Sequence, residues 1–146
     1  MCSSDLMPAT AADPNIGIPR IDSVENNIHA GTKYLRWLHD TYFKDARMDA
    51  LNRTLFTFAA YNAGPGRIAK LRAQAGPAGL NANVWFGNVE VLAAREIGRE
   101  TVQYVSNIFR YYLAYALITQ HERERADALH SPALTAFPRR AAAPGR

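Results

Sequence analysis

Apolar residues recur at intervals of three and four through most of residues 24–127, and no segment alternates apolar with polar as a half-buried strand would. The spacing predicts a helix from Val24 to about Phe43, carried by Ile28, Tyr34 or Leu35, and Leu38. Asp22 with Glu25 three residues later resembles a capping box, with Asp in place of Ser or Thr. Gly31 lies inside this helix at a cost of about 1 kcal/mol relative to alanine, so another backbone is expected to pack close to it. A second helix is predicted from about Asp49 to Ala60, where Leu51, Leu55, Phe56, Phe58 and Ala59 make it apolar on most sides. Asn62-Ala63-Gly64-Pro65-Gly66 ends it. Shorter helices are expected at about Arg67–Gln74 and Val84–Ile97, on either side of a Gly76-Pro77-Ala78-Gly79 loop.

The last helix, about Arg99–Asp127, is the longest and carries two stripes. Val102, Val105, Phe109, Tyr112 and Ala116 form one, and its first four members are expected to be buried against the Phe56–Phe58 helix. Tyr104, Ile108, Tyr111 and Tyr115 form the other, whose hydroxyls need a polar boundary. The class is all-α.

Composition narrows the reading without deciding it. At 146 residues, 48% apolar and 21% charged, the chain has the make-up of one globular domain. The single cysteine, Cys2, excludes a disulfide framework and a Cys-based zinc site within the chain. No apolar run reaches the roughly 18–20 residues of a membrane span. Net charge is +4, and taking away Arg139, Arg140 and Arg146 of the C-terminal segment leaves +1. A near-neutral body argues against nucleic acid as a partner. Residues 129–146, rich in proline and unpaired arginine, are expected to be a disordered basic tail. Met1–Leu6 has neither the basic start nor the apolar core of an export signal and resembles a translated sequencing adapter, so residues 1–6 are expected to be a non-native leader.

Candidate chemistry is sparse. His29, His39, His121 and His130 have no metal-ligand spacing and are expected at the surface. Gly64-Pro65-Gly66 lacks the lysine and preceding strand of a phosphate loop. The informative segment is Ala60-Tyr61-Asn62-Ala63-Gly64-Pro65-Gly66-Arg67, an aromatic and an amide at a helix end before a turn suited to glycine. It reads either as a helix stop with Asn62 as cap or as a ligand wall, a stacking ring beside an amide, suited to carbohydrate.

Four blocks in order resemble the soluble lytic transglycosylase domain of the lysozyme-like superfamily. They are Met7-Pro8-Ala9-Thr10-Ala11, Asn27-Ile28-x-Ala30-Gly31-x-x-Tyr34-Leu35, Ala60-Tyr61-Asn62-Ala63-Gly64-x-Gly66, and Glu100-Thr101-x-x-Tyr104-Val105-x-x-Ile108 with Tyr111. The resemblance implies a lysozyme-like helical fold over about residues 7–128 and a glycan cleft lined by Tyr61, Asn62, Tyr104 and Tyr111 and bordered by Met7 and Thr10. Tyr61, Asn62 and Tyr104 are expected to share one groove. The implied partner is the peptidoglycan glycan strand, with no metal or cofactor, and the implied setting of the parent protein is the bacterial envelope.

In this family one glutamate of a glutamate-serine pair protonates the bond between N-acetylmuramic acid and N-acetylglucosamine, then draws the proton from the muramyl 6-hydroxyl to close a 1,6-anhydro ring. That pair lies upstream of the methionine-proline block, so the chain is expected to be an N-terminally incomplete domain without its catalytic residue. Glu100, at the start of the long helix, favours a structural role, because an acid there complements the helix dipole. The other readings are a non-catalytic glycan-binding or scaffolding domain and a generic helical interaction module.

Overall fold

The computed structural model describes residues 6–45 and 47–130, and every regular element among them is helical. Most of the expected leader and tail lies outside those residues, although Leu6 is inside and buried. The helices are α1 (Pro8–Ala11), α2 (Val24–Tyr42), α3 (Ala50–Ala63), α4 (Pro65–Ala75), α5 (Glu90–Glu96) and α6 (Arg99–His130). The chain divides into two compact units at Phe109/Arg110, within α6.

In the first unit, α2, α3 and α4 pack in succession around Phe56, Leu38, Ile68, Leu71 and Trp85. Aromatic rings knit this core: Phe43 stacks on Phe56 with centroids 5.9 Å apart, and Trp85 meets Phe56 edge-on at 5.6 Å. Arg72 lies over the Phe43 and Phe56 rings and donates to the Ala82 carbonyl and Asn83 Oδ1, pinning the loop after α4. A smaller cluster of Leu6, Ala11, Ile16 and Ala30 seats α1 on α2, and Lys33 Nζ donates to the Ile16 carbonyl at 2.6 Å.

Local chemistry moves several helix ends from their expected places. Ser23, not Asp22, caps α2, its hydroxyl accepting from the Asn26 N–H. Asp49 caps α3 through Oδ1, which accepts from the Asn52 backbone N–H, and its Oδ2 accepts from the Asn52 side-chain amide; the backbone bond first and the side-chain bond second hold the Asp49 carboxyl below its ordinary range. Asn52 in turn accepts the Trp85 N–H at 2.8 Å, so the cap of α3 also fixes the chain before α5. α3 runs three residues past its expected end, to Ala63, and α4 starts at Pro65, the first-turn position proline tolerates. The helix expected over Val84–Ile97 is broken. Trp85–Val89 is a π-type turn with Phe86 extended and Gly87 at φ +68°, and the α-helix begins at Glu90, whose Oε2 accepts the Gly87 N–H.

The expected burial of the α6 stripe holds in part. Val105 is buried in the core that contains Phe56, and Val102 and Phe109 are half-buried against it. Tyr112 is 61% exposed, because core packing along this stripe ends with the first unit. In the second unit α6 continues with every residue from Arg110 to Leu129 exposed. His29 and His121 are exposed, while His39 is half-buried and pairs with Asp40; the His130 side chain lies outside what is described.

Candidate glycan-binding site

The end of α3 carries the site. Tyr61 follows two buried alanines, Ala59 and Ala60, which hold α3 against the core. Gly64, at φ +91°, donates its N–H to the Ala60 carbonyl and turns the chain directly into α4, so Tyr61 and Asn62 are fixed by helices on both sides. Asn62 is not the cap. It is half-buried inside α3, and its Oδ1 accepts from Thr101 Oγ1 at 2.7 Å, tying α3 to the start of α6 across 39 positions of sequence.

Gly31 is explained by a side chain rather than a backbone. A Cβ at this position would lie 3.2 Å from the Tyr61 hydroxyl, so the glycine makes room for that ring. Tyr34, one turn along α2, packs against Tyr61 with centroids 5.5 Å apart. Burial, then Tyr42 and Asp13, raises the Tyr34 phenol above its ordinary value, so the ring presents a neutral hydroxyl at physiological pH.

Three hollows run past these rings. The first, about 530 Å³, is lined by Tyr61 and Tyr104 together with Ile21, Asp22, Asn27, Ile28 and Leu35. The second, about 550 Å³, lies on the Tyr34 side of Tyr61 and takes in Met7, Thr10, Asn62 and Arg67. The third, about 310 Å³, shares Thr10 and Tyr34 with the second and adds Asp13, Asn15 and Trp37. Trp37 stacks on Tyr34 at 5.9 Å, and Asp13 Oδ1 accepts twice from Asn15, through its N–H and its amide.

Five of the six expected site residues therefore meet, but not in one place. Tyr61 joins Tyr104 in the first hollow and joins Asn62, Met7 and Thr10 in the second. The single groove expected for Tyr61, Asn62 and Tyr104 is instead a pair of hollows that share the Tyr61 ring. Tyr111 belongs to the second unit and is 66% exposed. Exposed Val24 and Ile28 line the first hollow, so apolar surface is present there. The residues that were not foreseen are Trp37, Asp13 and Arg67. Trp37 follows Tyr34 by three positions, a spacing that puts both on one helix face, and Asp13-x-Asn15 has the form of an Asx turn. Among the described residues, no three of His, Cys, Asp or Glu gather as metal ligands would.

A family model for the transglycosylase SLT domain matches residues 5–83, more than half of the chain. The chain belongs to the transglycosylase SLT domain family. It is also similar to the membrane-bound lytic murein transglycosylase F of Marinobacter nauticus, 33% identical over 138 residues that cover 85% of this chain and 27% of the relative. The protein of the same name from Pseudomonas fluorescens is 32% identical over 115 residues, 68% of this chain and 23% of the relative. That of Stutzerimonas stutzeri is 31% identical over 134 residues, 79% of this chain and 26% of the relative. The chain thus spans about a quarter of the length of the curated relatives it matches. The SLT match covers α1 to α4 and with them most of the hollows' walls, but ends before Tyr104. No helix among the described residues is long and apolar enough to cross a membrane.

Proposed function

We propose that this SLT chain supplies the glycan-binding wall of a lytic transglycosylase that acts on murein, cutting between N-acetylmuramic acid and N-acetylglucosamine with 1,6-anhydro ring formation in the complete enzyme. One observation carries the reading: successive hollows share Tyr61, and then Thr10 and Tyr34, as common walls. A polymer of flat rings needs a row of connected seats with aromatic partitions, each offering an apolar face and nearby hydroxyls or amides. Tyr61, Tyr34 and Trp37 supply the faces, while Thr10, Asn15 and Asn27 supply polar groups. The setting of the complete enzyme is the bacterial envelope, in keeping with relatives named as membrane-bound.

Among the described residues no buried acid lines these hollows. Asp22 and Asp13 line the first and third hollows but are exposed, and Glu100 is exposed in the first turn of α6. The 146-residue chain is therefore expected to bind peptidoglycan without cutting it. Cosedimentation with purified sacculi tests the binding, and Tyr61→Ala should weaken it about ten-fold, as expected for loss of one stacking partition. Failure to cosediment above a control protein would overturn the reading. Mass spectrometry of the same mixture should find no 1,6-anhydromuropeptides; their release would give the acid's work to another carboxylate, with Glu100 the first to test.

A further inference from the structure

The middle hollow differs from its neighbours in charge. Among the described residues, Asp22 is the charged residue of the first hollow and Asp13 that of the third, whereas the second has Arg67 and no acid. Arg67 is exposed and forms no ion pair among the described residues, so its guanidinium is uncommitted. Its own helix gains nothing from it. Arg67 stands in the first turn of α4, which has no acid there, and a cation at that end opposes the helix dipole. Nor does it pack: the core contacts of α4 come from Ile68, Leu71 and Ala75. The half-buried arginines are spent elsewhere: Arg72 on Ala82, Asn83 and the Phe43 and Phe56 rings, and Arg53 on the Asp45 and Met48 carbonyls. Arg67 is thus a cation at the edge of a seat whose other walls are Tyr61, Tyr34, Asn62 and Thr10.

We infer that Arg67 makes the middle hollow a seat for a sugar that carries a carboxylate, so that the site selects muramyl-containing glycan over a neutral polymer of N-acetylglucosamine. The inference rests on the glycan-binding reading above and adds to it a determinant of specificity. A guanidinium suits the task because its planar fork can hold a carboxylate with two parallel hydrogen bonds, and it stays charged at every physiological pH. Several carboxylates of murein have the required chemistry. One is the lactyl group of muramic acid, which is free where the stem peptide has been removed; the others belong to the stem peptide itself.

Three ligands separate these cases in binding titrations with the full 146-residue chain at low salt: neutral chitohexaose, amidase-stripped murein strands with free lactyl carboxylates, and peptide-bearing strands. The wild-type chain should bind at least one anionic strand more tightly than chitohexaose. Arg67→Gln should weaken that binding by about three- to ten-fold, the range for a partly exposed charge-assisted pair, while leaving chitohexaose unchanged. Arg67→Lys should recover part of the preference, and added salt should erode it. The anionic strand that loses more on Arg67→Gln identifies the carboxylate. Equal binding of all three ligands by wild type, or an unchanged preference in Arg67→Gln, would overturn the role of Arg67 while leaving the glycan reading intact. Binding of none of the three would overturn the glycan reading itself. Because Arg67 is exposed and outside the core, an unchanged far-ultraviolet circular dichroism spectrum of the variants excludes unfolding as the cause.

Discussion

The two parts of α6 share one helix and one residue pattern but not one environment. From Thr101 to Phe109 the helix is graded, with Thr101 and Val105 buried and Val102, Tyr104 and Phe109 half-buried. From Arg110 to Leu129 no position is even half-buried, although the three-and-four spacing continues through Tyr112 and Ala116 and the tyrosines continue through Tyr115. The difference teaches that periodicity marks the face a helix is able to bury, whereas burial also needs a surface to pack on. Helix formation needs less. The exposed part is rich in Leu, Ala, Arg and Glu, and Gln120 donates to Glu124 one turn on.

The sharpest way to break this comparison is to remove large side chains from each side of it. Trp85→Ala should cost about 3–5 kcal/mol, since the indole is fully buried against Phe56, whereas Leu117→Ala in the exposed part should cost less than about 0.5 kcal/mol. Urea unfolding followed by circular dichroism measures both, and a comparable loss at Leu117 would show that α6 has a buried face there in solution. Trp85→Phe should recover most of the loss, because the indole N–H it removes has no hydrogen-bond partner among the described residues.

Within α6 itself, Val105→Ala should destabilise by about 1.5–3 kcal/mol and Tyr112→Ala by a few tenths at most, given full burial at one and exposure at the other. Equal effects would remove the boundary at Phe109. The Asn62–Thr101 hydrogen bond sharpens the same boundary from the site side. Asn62→Ala and Thr101→Val should each cost about 1 kcal/mol, and the double variant less than the sum of the two, as a double-mutant cycle would read for one shared bond.

Gly31→Ala should leave stability nearly unchanged, since about 1 kcal/mol of helix propensity offsets the displaced Tyr61 hydroxyl, yet it should weaken binding to sacculi. Combined with Tyr61→Phe in a double-mutant cycle, Gly31→Ala should show coupling in urea midpoint; additive effects would mean that the hydroxyl is not what the glycine accommodates.

The smallest effect concerns acid. Hydrogen bonds from His39 and then Arg36 hold the Asp40 carboxyl down to about 2, and Arg47 does the same for Asp45. Both values lie below those of the unfolded chain, so the stabilisation is present at neutral pH and is lost as pH falls from about 4 toward 2. Both side chains are only partly covered and remain open to solvent screening, so Asp40→Asn should shift the urea midpoint only slightly at pH 6, and the gap should close on acidification.

The residue pattern by itself determined the helical class, the run of α2 almost to the residue, and the family, because helix periodicity and the Ala60–Gly66 motif are local properties of the chain. It also marked Tyr61, Asn62 and Tyr104 as residues of one neighbourhood. Only the tertiary structure decided how they meet. Ser23 took the cap from Asp22 because its hydroxyl reaches the Asn26 N–H, and Gly87 broke the expected helix at 84–97 through a backbone angle set beside the buried Trp85. Gly31 proved to face a tyrosine hydroxyl from another helix, and Asn62 proved to be a tie to Thr101 rather than a cap. The physical reason is common to all of these. A residue's periodicity and propensity are set by its neighbours in sequence, but a hydrogen-bond partner, a wall shared by two hollows or the covering of a helix face is set by groups tens of positions away, which only packing brings together.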